Sequence, residues 1–399
     1  MGNMVIAQSG GPTAVINQSL VGAILEAKKH REIKKIYGSL YGLRGLLEEN
    51  LCDLGRETKA NLELVARTPS AALGSVRQKP TPEDCAKIFH ILQKYNIRYF
   101  FYIGGNDSAE TTHIINEEAQ KTGYVMKCFH ICKTIDNDLR ENDHTPGFGS
   151  AAKFVAQAFM GDNLDNRALP GIKINVVMGR HAGFLTAASA LARIYPDDGP
   201  HLIYLPERPF SMDKFLGDVR GVFEKHKRCV VAVSEGIADE SGVAIASKFT
   251  QEKDSHGNVQ LSGTGALGDV LADAVRKANI TSRVRADTFG YLQRSFVGVV
   301  SDVDAREARL CGQMAVRFAT SGKFDNGSTA IKRASGRKYR IWIERVELSA
   351  VAKETRHMPD EFIAPSGTDV TPAFIDYVRP IVGALPEIGR LKFIEVRAG

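Results

Sequence analysis

The chain has 399 residues, of which 43% are hydrophobic and 25% are charged, with a formal net charge of +6 at pH 7. These proportions exclude disordered and collagen-like classes, and the length predicts two or three domain-sized units. The mild positive charge fits an anionic small substrate better than nucleic acid, because lysine and arginine are neither gathered into one block nor interleaved with aromatic residues.

The sequence gives no sign of export or membrane insertion. It has no apolar run of the roughly 18 residues that a membrane span needs, and its N-terminus enters a strand without the features of a secretory signal. The six cysteines therefore indicate free thiols, and we expect a cytoplasmic protein. Cys128, His130 and Cys132 alternate along one predicted strand, but a metal site there would need a fourth ligand, so we favour a buried strand.

The first half of the chain alternates strands and helices. The predicted elements are, in chain order, a strand at Met4–Ala7, a helix from about Thr13 to His30, a strand from Ile36, a helix from Pro82, a strand at 99–103, a helix to about Gln120 and a strand at Val125–Ile131. The helix at Pro82 has the strongest start signal, an N-cap threonine followed by proline and two acids. This alternation predicts a parallel, doubly wound sheet.

The second half of the chain predicts another α/β lobe. Lys173–Val177 and Cys229–Ser234 are almost continuously apolar, as expected of strands covered on both faces. After about residue 330 the sequence alternates like an antiparallel strand. We therefore predict an α/β fold of two doubly wound lobes with mostly parallel sheets: an N-terminal lobe over 1–142 completed by part of 265–310, a second lobe over 143–330, and a C-terminal extension over 331–399 packed on the second lobe.

Three glycine-rich turns follow predicted strands, at Ser9–Gly11, Gly104–Ser108 and Met178–Gly183. Ligands of such sheets bind at the carboxyl ends of the strands, where helix N-termini attract phosphate. Each turn alone fits a simple tight turn equally well, but three together favour phosphate binding. A fourth stretch, Gly263–Gly268, matches a dinucleotide-binding pattern; because it follows a polar loop, we favour a loop that enters a helix at 266–278.

The loop after the strand Val125–Ile131 combines a lysine with two carboxylates, Lys133, Asp136 and Asp138. An ordinary acidic turn would have the same composition. Phosphoryl transfer to an alcohol needs a base for the hydroxyl proton and a cation for the moving phosphoryl group, and this loop supplies both.

Seven motifs, in this order, resemble the phosphofructokinase family. They are SGG at 9–11, GSVR at 74–77, IGGNDS at 103–108, KTIDNDL at 133–139, VMGRHAG at 177–183, VSEG at 233–236 and YLQR at 291–294. The resemblance covers roughly residues 4–320, and MPDEFI and YVRPIVG further on resemble the longer bacterial pyrophosphate-dependent members. It implies an active site between two lobes, the first binding the phosphoryl donor and the second the sugar phosphate.

The resemblance also implies roles for individual residues. Asp136 resembles the base that takes the proton from the 1-hydroxyl of fructose 6-phosphate. The residues that resemble the substrate-binding set are Thr134, Ile135, Asp136, Met178, Gly179, Arg180, Glu235, Tyr291 and Arg294, and those that resemble diphosphate contacts are Gly11 and Arg77. Tyr291 and Arg294 match the pair that holds the 6-phosphate.

Asp107 and Lys133 indicate which phosphoryl donor is used. ATP-dependent members usually carry glycine at both positions, where it leaves room for the nucleotide's inner phosphate. A carboxylate at 107 would repel that phosphate, and a lysine at 133 places a cation beside the leaving phosphate. The combination resembles the pyrophosphate-using type, which implies reversible, Mg²⁺-dependent phosphoryl transfer in glycolysis or gluconeogenesis. Asn106 stands where the family commonly has a metal-binding aspartate, so we expect pyrophosphate to hold much of the Mg²⁺.

Several alternatives stay open. They are an ATP-dependent phosphofructokinase, a non-catalytic sugar-phosphate-binding paralogue, and a related acceptor such as sedoheptulose 7-phosphate. The resemblance implies a homodimer or other homo-oligomer, in which Lys173 or Arg285 contacts the neighbouring subunit's 6-phosphate. We expect no nucleic-acid or membrane partner.

Overall fold

The computed structural model describes residues 1–77, 79–248, 265–336, 338–352 and 355–392. The strands are β1 (Gly2–Gln8), β2 (Ile33–Ser39), β3 (Leu51–Asp53), β4 (Ile97–Gly104), β5 (Lys127–Cys132), β6 (Ile172–Val177), β7 (Leu202–Tyr204), β8 (Cys229–Ser234), β9 (Val284–Thr288), β10 (Asn326–Arg333) and β11 (Ile341–Val346). Every strand that the sequence predicted before residue 330 is present, with bounds that differ by a few residues.

The helices surround these strands. They are α1 (Ile16–Ala27), α2 (Leu43–Leu47), α3 (Lys59–Arg67), α4 (Pro82–Lys94), α5 (Asn106–Lys121), α6 (Phe148–Ala168), α7 (Phe184–Ala188), α8 (Met212–His226), α9 (Ala266–Lys277), α10 (Leu292–Ser295), α11 (Asp302–Thr320), α12 (Leu348–Val351) and α13 (Pro372–Val382). The predicted start of α4 is confirmed, because Thr81 and Asp84 accept hydrogen bonds from each other's backbone N–H groups. Among the described residues, no helix is both long and apolar enough to cross a membrane.

The larger sheet has the strand order β11-β10-β5-β4-β1-β2-β3 in the described part of the chain. The strands β10, β5, β4, β1 and β2 run parallel, and β11 and β3 are antiparallel strands at the two edges. Alternate residues of β1 and β4 enter different cores: Met4, Ile6 and Phe101 lie in one, Val5 and Phe100 in the other. The predicted doubly wound sheet, covered on both faces, is therefore confirmed.

The smaller sheet has the order β7-β8-β6-β9, with all neighbouring strands parallel. The sequence analysis also predicted a loop at Gly263–Gly268 that enters a helix. Residues 263–264 lie outside the described residues, and the rest leads into α9, so the predicted loop-to-helix interpretation holds for the described part.

The sheet topology differs from the predicted division into lobes after about residue 310. Strands β10 and β11 belong to the larger sheet, although the sequence analysis assigned them to the second lobe and the C-terminal extension. Helix α11 packs on α1, where a Cβ on Gly22 would lie 2.3 Å from the Arg309 carbonyl oxygen and one on Gly312 would lie 2.0 Å from the Ser19 carbonyl oxygen. The two glycines thus let the helix backbones touch and tie α11 to the first lobe.

The last helix, α13, packs on the second lobe. Its buried residues Phe374, Val378 and Ile381 lie in the same core as Phe148 and Phe184. We therefore propose a first lobe of 1–142 with 302–352, and a second lobe of 143–301 on which 355–392 packs.

Candidate active site

Three loops meet at the carboxyl edge of the larger sheet, because β1, β4 and β5 are parallel neighbours. The Ser9 hydroxyl lies 2.8 Å from the Ser108 hydroxyl, which joins the loop after β1 to the start of α5. The Lys133 backbone N–H donates to the Gly104 carbonyl at 3.0 Å, which joins the loop after β5 to the same turn. The fold thus brings together the phosphate turns and the acidic loop.

A cavity of about 500 Å³ opens between these loops. The residues predicted to contact the donor or the metal all line it: Gly11, Arg77, Asn106, Asp107 and Lys133. Helix α5 begins at this cavity, and no side chain caps its first turn. The free N-terminal backbone groups and the positive end of the helix dipole suit a bound phosphate.

Two glycines allow cations to approach the turn at Ser9–Gly11. Gly10 has φ of +72°, a left-handed conformation that favours glycine. A Cβ on Gly10 would lie 3.2 Å from the Lys133 ammonium nitrogen, and one on Gly11 would lie 3.0 Å from the Arg294 guanidinium carbon. The Lys133 ammonium also donates to the Gly11 carbonyl at 2.8 Å. The two glycines therefore let two positive side chains approach this turn, and Lys133 also lines the cavity.

Lys133 is almost fully buried, with 3% of its surface exposed. Burial and, to a smaller extent, the nearby cations of Arg294 and Arg77 lower its pKa to about 7, while Asp136 and Asp138 oppose the shift. An ammonium group with so little water around it interacts strongly with an anionic ligand.

Asp136 and Asp138 lie at the start of the loop that follows Lys133. Burial raises the pKa of Asp136, against the opposing charges of Arg294, Lys133 and Arg77. Burial and the neighbouring Asp136 raise the pKa of Asp138 to about 7. Two coupled carboxylates with raised pKa values in a cleft are typical of acid–base chemistry near neutral pH.

The predicted sugar-binding residues come from the ends of β6 and β8 and from the region of α10. The Met178 backbone N–H donates to Gln293 Oε1 at 3.3 Å, and the Gly179 N–H approaches Glu235 Oε1 at 3.5 Å. Arg180 lines a neighbouring cavity of about 350 Å³. These residues therefore surround the same turn of the second lobe.

Two of the predicted substrate residues, Arg294 and Ile135, have surroundings that the sequence did not indicate. The Arg294 guanidinium stacks on the Tyr291 ring at 4.6 Å, but it also reaches the donor turn at Gly11. It thus stands between the donor and sugar sides of the cleft. The Ile135 side chain is buried in the core of the second lobe, so a substrate contact from this residue would use its backbone.

Asp107 lies in the first turn of α5, with 59% of its side chain exposed. Its carboxylate contacts the Lys79 ammonium at 3.1 Å, and Lys79 also contacts Glu110 at 2.7 Å. Lys79 was not identified from the sequence, where it is one of many scattered lysines. The ion pairs hold the Asp107 carboxylate at the cavity that it was predicted to restrict.

Asn106 fits an oxygen-ligated cation such as Mg²⁺. Its carbonyl oxygen lines the cavity and is buried without a hydrogen-bond partner, which is the form of ligand that Mg²⁺ accepts. Among the described residues there is no group of three or more His, Cys, Asp or Glu side chains that could hold a metal by themselves.

The strand interpretation of Cys128, His130 and Cys132 is confirmed, since all three are buried in β5. The two ring nitrogens of His130 lie 2.8 Å from the Ser328 hydroxyl and 2.8 Å from the Gly104 carbonyl oxygen. Burial lowers the pKa of His130 to about 4, so the ring is neutral and braces the phosphate turn.

The two residues predicted to act across a subunit interface are neighbours. Lys173 on β6 and Arg285 on β9 stand opposite each other in the smaller sheet. Lys173 contacts Asp162 at 2.6 Å and Asp165 at 2.5 Å, so its charge is already neutralised, whereas Arg285 is exposed. The role of either residue across an interface stays a prediction.

The fold and the cavity together define an α/β protein with a candidate phosphate site at the carboxyl edge of its larger sheet. The chain belongs to the phosphofructokinase family, whose model, described as "Phosphofructokinase", matches residues 3–319.

Similar proteins cover nearly the whole chain. It is 58% identical to a pyrophosphate–fructose 6-phosphate 1-phosphotransferase of Rhodospirillum rubrum, over 98% of this chain and 97% of that one. It is 38% identical to a protein of the same name from Xanthomonas campestris pv. campestris, over 96% and 91%. The crystal structure of a pyrophosphate-dependent phosphofructokinase from Marinobacter aquaeolei is similar with a TM-score of 0.86 and 33% identity, covering 100% of this chain and 98% of that one.

Proposed function

We propose that the protein transfers a phosphoryl group from pyrophosphate to the 1-hydroxyl of fructose 6-phosphate, giving fructose 1,6-bisphosphate and phosphate, reversibly and with Mg²⁺. The observation that carries this proposal is that Asp107 and Lys133 line the same cavity. The names of the similar proteins from Rhodospirillum rubrum and Xanthomonas campestris support the same donor and acceptor.

In this mechanism pyrophosphate lies in the cavity at the N-terminus of α5, and the sugar lies against the turn at Met178–Arg180. Asp136 accepts the proton of the 1-hydroxyl as that oxygen bonds to the nearer phosphorus. The bond from this phosphorus to the bridging oxygen breaks, and phosphate leaves. Lys133 and Arg294 stabilise the charge that develops on the transferred and leaving groups. Mg²⁺, held by donor oxygens and Asn106, would supply additional positive charge.

Parallel assays with pyrophosphate and ATP, each with Mg²⁺ and fructose 6-phosphate, test the donor directly. We expect turnover with pyrophosphate and little with ATP, because the Asp107 carboxylate repels a further phosphate. Activity with ATP and none with pyrophosphate would contradict the proposal and favour the ATP-dependent alternative. The same assay with sedoheptulose 7-phosphate shows how strictly the acceptor is selected.

The pH dependence follows from the two shifted groups. Asp136 must be deprotonated to accept a proton, and its raised pKa moves the loss of activity on the acid side closer to neutral pH. Lys133 must be protonated, and its pKa of about 7 makes activity fall as the pH rises through neutrality. We expect kcat/KM for pyrophosphate to be bell-shaped, with its maximum on the acid side of pH 7, between the pKa of Asp136 and that of Lys133.

The variant Lys133→Arg tests the assignment of the alkaline limb. Since guanidinium does not lose its proton near neutral pH, the alkaline limb of the kcat/KM profile should move to higher pH, whether or not the maximal rate also changes. An alkaline limb that stays in place in this variant would show that another group titrates there.

We also propose a homo-oligomeric, cytoplasmic enzyme. Exposed apolar side chains beside Arg294, namely Leu292, Phe296 and Val297, support an interface at this end of the second lobe. Sedimentation velocity at several concentrations checks the assembly, and a monomer throughout would contradict it.

The pKa values of Asp136 and Lys133 are both shifted by burial, as is typical of catalytic groups. This argues against a non-catalytic paralogue.

A further inference from the structure

The two carboxylates of the acidic loop are separated by a residue in an unusual conformation. Asn137 has φ of +60°, in the left-handed region, where asparagine is tolerated better than most residues. The orientation of Asp136 relative to Asp138 depends on this conformation, since Asn137 is the one residue between them. Groups that hold Asn137 therefore determine where the base points.

Arg356 contacts this loop through four hydrogen bonds. Its guanidinium donates to the carbonyls of Asn137 at 2.8 Å, of Asp143 at 2.8 Å, and of Asn142. Its backbone N–H donates to the Asp138 carbonyl at 2.7 Å. A single side chain from the C-terminal part of the chain thus spans both ends of the segment 137–143.

Tyr377 holds the side chain of the same asparagine. Its hydroxyl accepts a hydrogen bond from Asn137 Nδ2 at 2.8 Å and donates to the Asp143 carbonyl at 2.7 Å. The other side-chain atom, Asn137 Oδ1, accepts from the Thr145 N–H at 3.1 Å. The Tyr377 ring is fixed in turn by Phe362, at 5.1 Å between ring centroids.

Arg356 and Tyr377 both lie beyond residue 319, where the family match ends. They come from the C-terminal extension, which was predicted to pack on the second lobe. Both the backbone carbonyl and the side-chain amide nitrogen of Asn137 are hydrogen-bonded to residues of this extension.

We propose that Arg356 and Tyr377 are positioning residues that hold the Asp136 carboxylate in line with the acceptor hydroxyl, so that the C-terminal extension completes the active site. This inference rests on the proposed function of Asp136 as the base. A base displaced by about 1 Å loses much of its rate advantage, on the order of 100-fold, although the substrates still bind. A positioning role therefore predicts an effect on kcat with little effect on KM.

The variant Tyr377→Phe isolates the hydroxyl, because it keeps the ring and its packing. It leaves Asn137 Nδ2 without its acceptor and removes the donor to the Asp143 carbonyl. We expect kcat to fall about 10-fold, while KM for pyrophosphate and for fructose 6-phosphate changes by less than about twofold.

A matched control is Tyr195→Phe. The Tyr195 hydroxyl donates to the Ile388 carbonyl at 2.9 Å, so this variant removes a comparable bond to the C-terminal extension at a distance from the acidic loop. We expect its kcat to equal that of the unchanged protein. A similar loss of kcat in both variants would overturn the inference, because it would show a general effect of loosening the extension.

Two variants test the role of Arg356, one that keeps its positive charge and one that removes it. Arg356→Lys keeps a cation but cannot reach three carbonyls, so we expect an intermediate loss of kcat. Arg356→Met removes all of these side-chain hydrogen bonds, and we expect kcat to fall about 100-fold. The charged groups that face Asp136, namely Arg294, Lys133, Arg77 and His181, are the same in all these variants.

The outcomes separate this inference from the proposed function. If Tyr377→Phe and Arg356→Lys keep the full kcat, or lose only thermal stability, the positioning role is wrong. If Asp136→Asn also keeps its activity, the proposed function itself fails. If Asp136→Asn is inactive while the Tyr377 and Arg356 variants are unaffected, only the inference fails. Tyr377→Phe keeps the test decisive should Arg356→Met not fold.

Discussion

Asp136→Asn is expected to lower kcat by about 100- to 10,000-fold, the usual contribution of a positioned general base. The amide has the same shape as the carboxylate but cannot accept the proton of the 1-hydroxyl. Because the surrounding cations of Arg294, Lys133 and Arg77 remain, the site keeps its attraction for phosphate. We therefore expect fructose 6-phosphate to bind with an affinity within a few-fold of the unchanged protein.

Steady-state kinetics and calorimetric titration with fructose 6-phosphate measure the two effects separately. The control variant Asp213→Asn removes an exposed carboxylate from the first turn of α8 and should leave both quantities unchanged. Retention of more than about a tenth of kcat in Asp136→Asn would show that another group serves as the base. The neighbouring Asp138, with its pKa of about 7, would then be the candidate to replace next.

The local elements could be predicted because their signals lie within a few residues of one another. The capping box of α4 occupies Thr81 to Asp84. The apolar stretches of β4 and β8 predict buried strands from their composition alone. The meeting of the predicted donor-binding turns could be anticipated for a related reason. In a parallel sheet, loops that follow neighbouring strands at their carboxyl ends must meet, so the turns at Ser9–Gly11 and Gly104–Ser108 share one cavity.

What the sequence did not reveal depends on pairings between distant segments. Strands β10 and β11 join the larger sheet next to β5, and local alternation cannot tell which sheet a strand will join. Arg356 and Asn137 are 219 positions apart, and nothing near either residue indicates the contact. Lys79 was missed for the same reason, since its importance comes from Asp107 and Glu110 on another element.

The double variant Asp107→Gly with Lys133→Gly is expected to exchange the donor. Loss of Lys133 removes a buried cation from the leaving phosphate, which should lower pyrophosphate-dependent kcat by about 100- to 1,000-fold, as for other preorganised charge-stabilising groups. Loss of the Asp107 carboxylate removes a like charge that costs several kcal/mol against a further phosphate, so ATP-dependent turnover should rise at least about 10-fold. Lys79 would keep its contact with Glu110 at 2.7 Å and its cation would then face the nucleotide.

The single variants make this donor exchange a sharp test of the two residues. Asp107→Gly alone should admit ATP only weakly, because the buried ammonium of Lys133, bonded to the Gly11 carbonyl at 2.8 Å, still occupies the turn that a longer donor must cross. Lys133→Gly alone should lose pyrophosphate activity and gain none with ATP, since the Asp107 carboxylate remains at the cavity. Initial rates with both donors across the four proteins reveal the coupling, because residues that act on one ligand show non-additive effects. If ATP turnover does not rise in the double variant, the charge and space at 107 and 133 are not what selects pyrophosphate, and the selection must lie in the loop that carries Arg77 and Lys79.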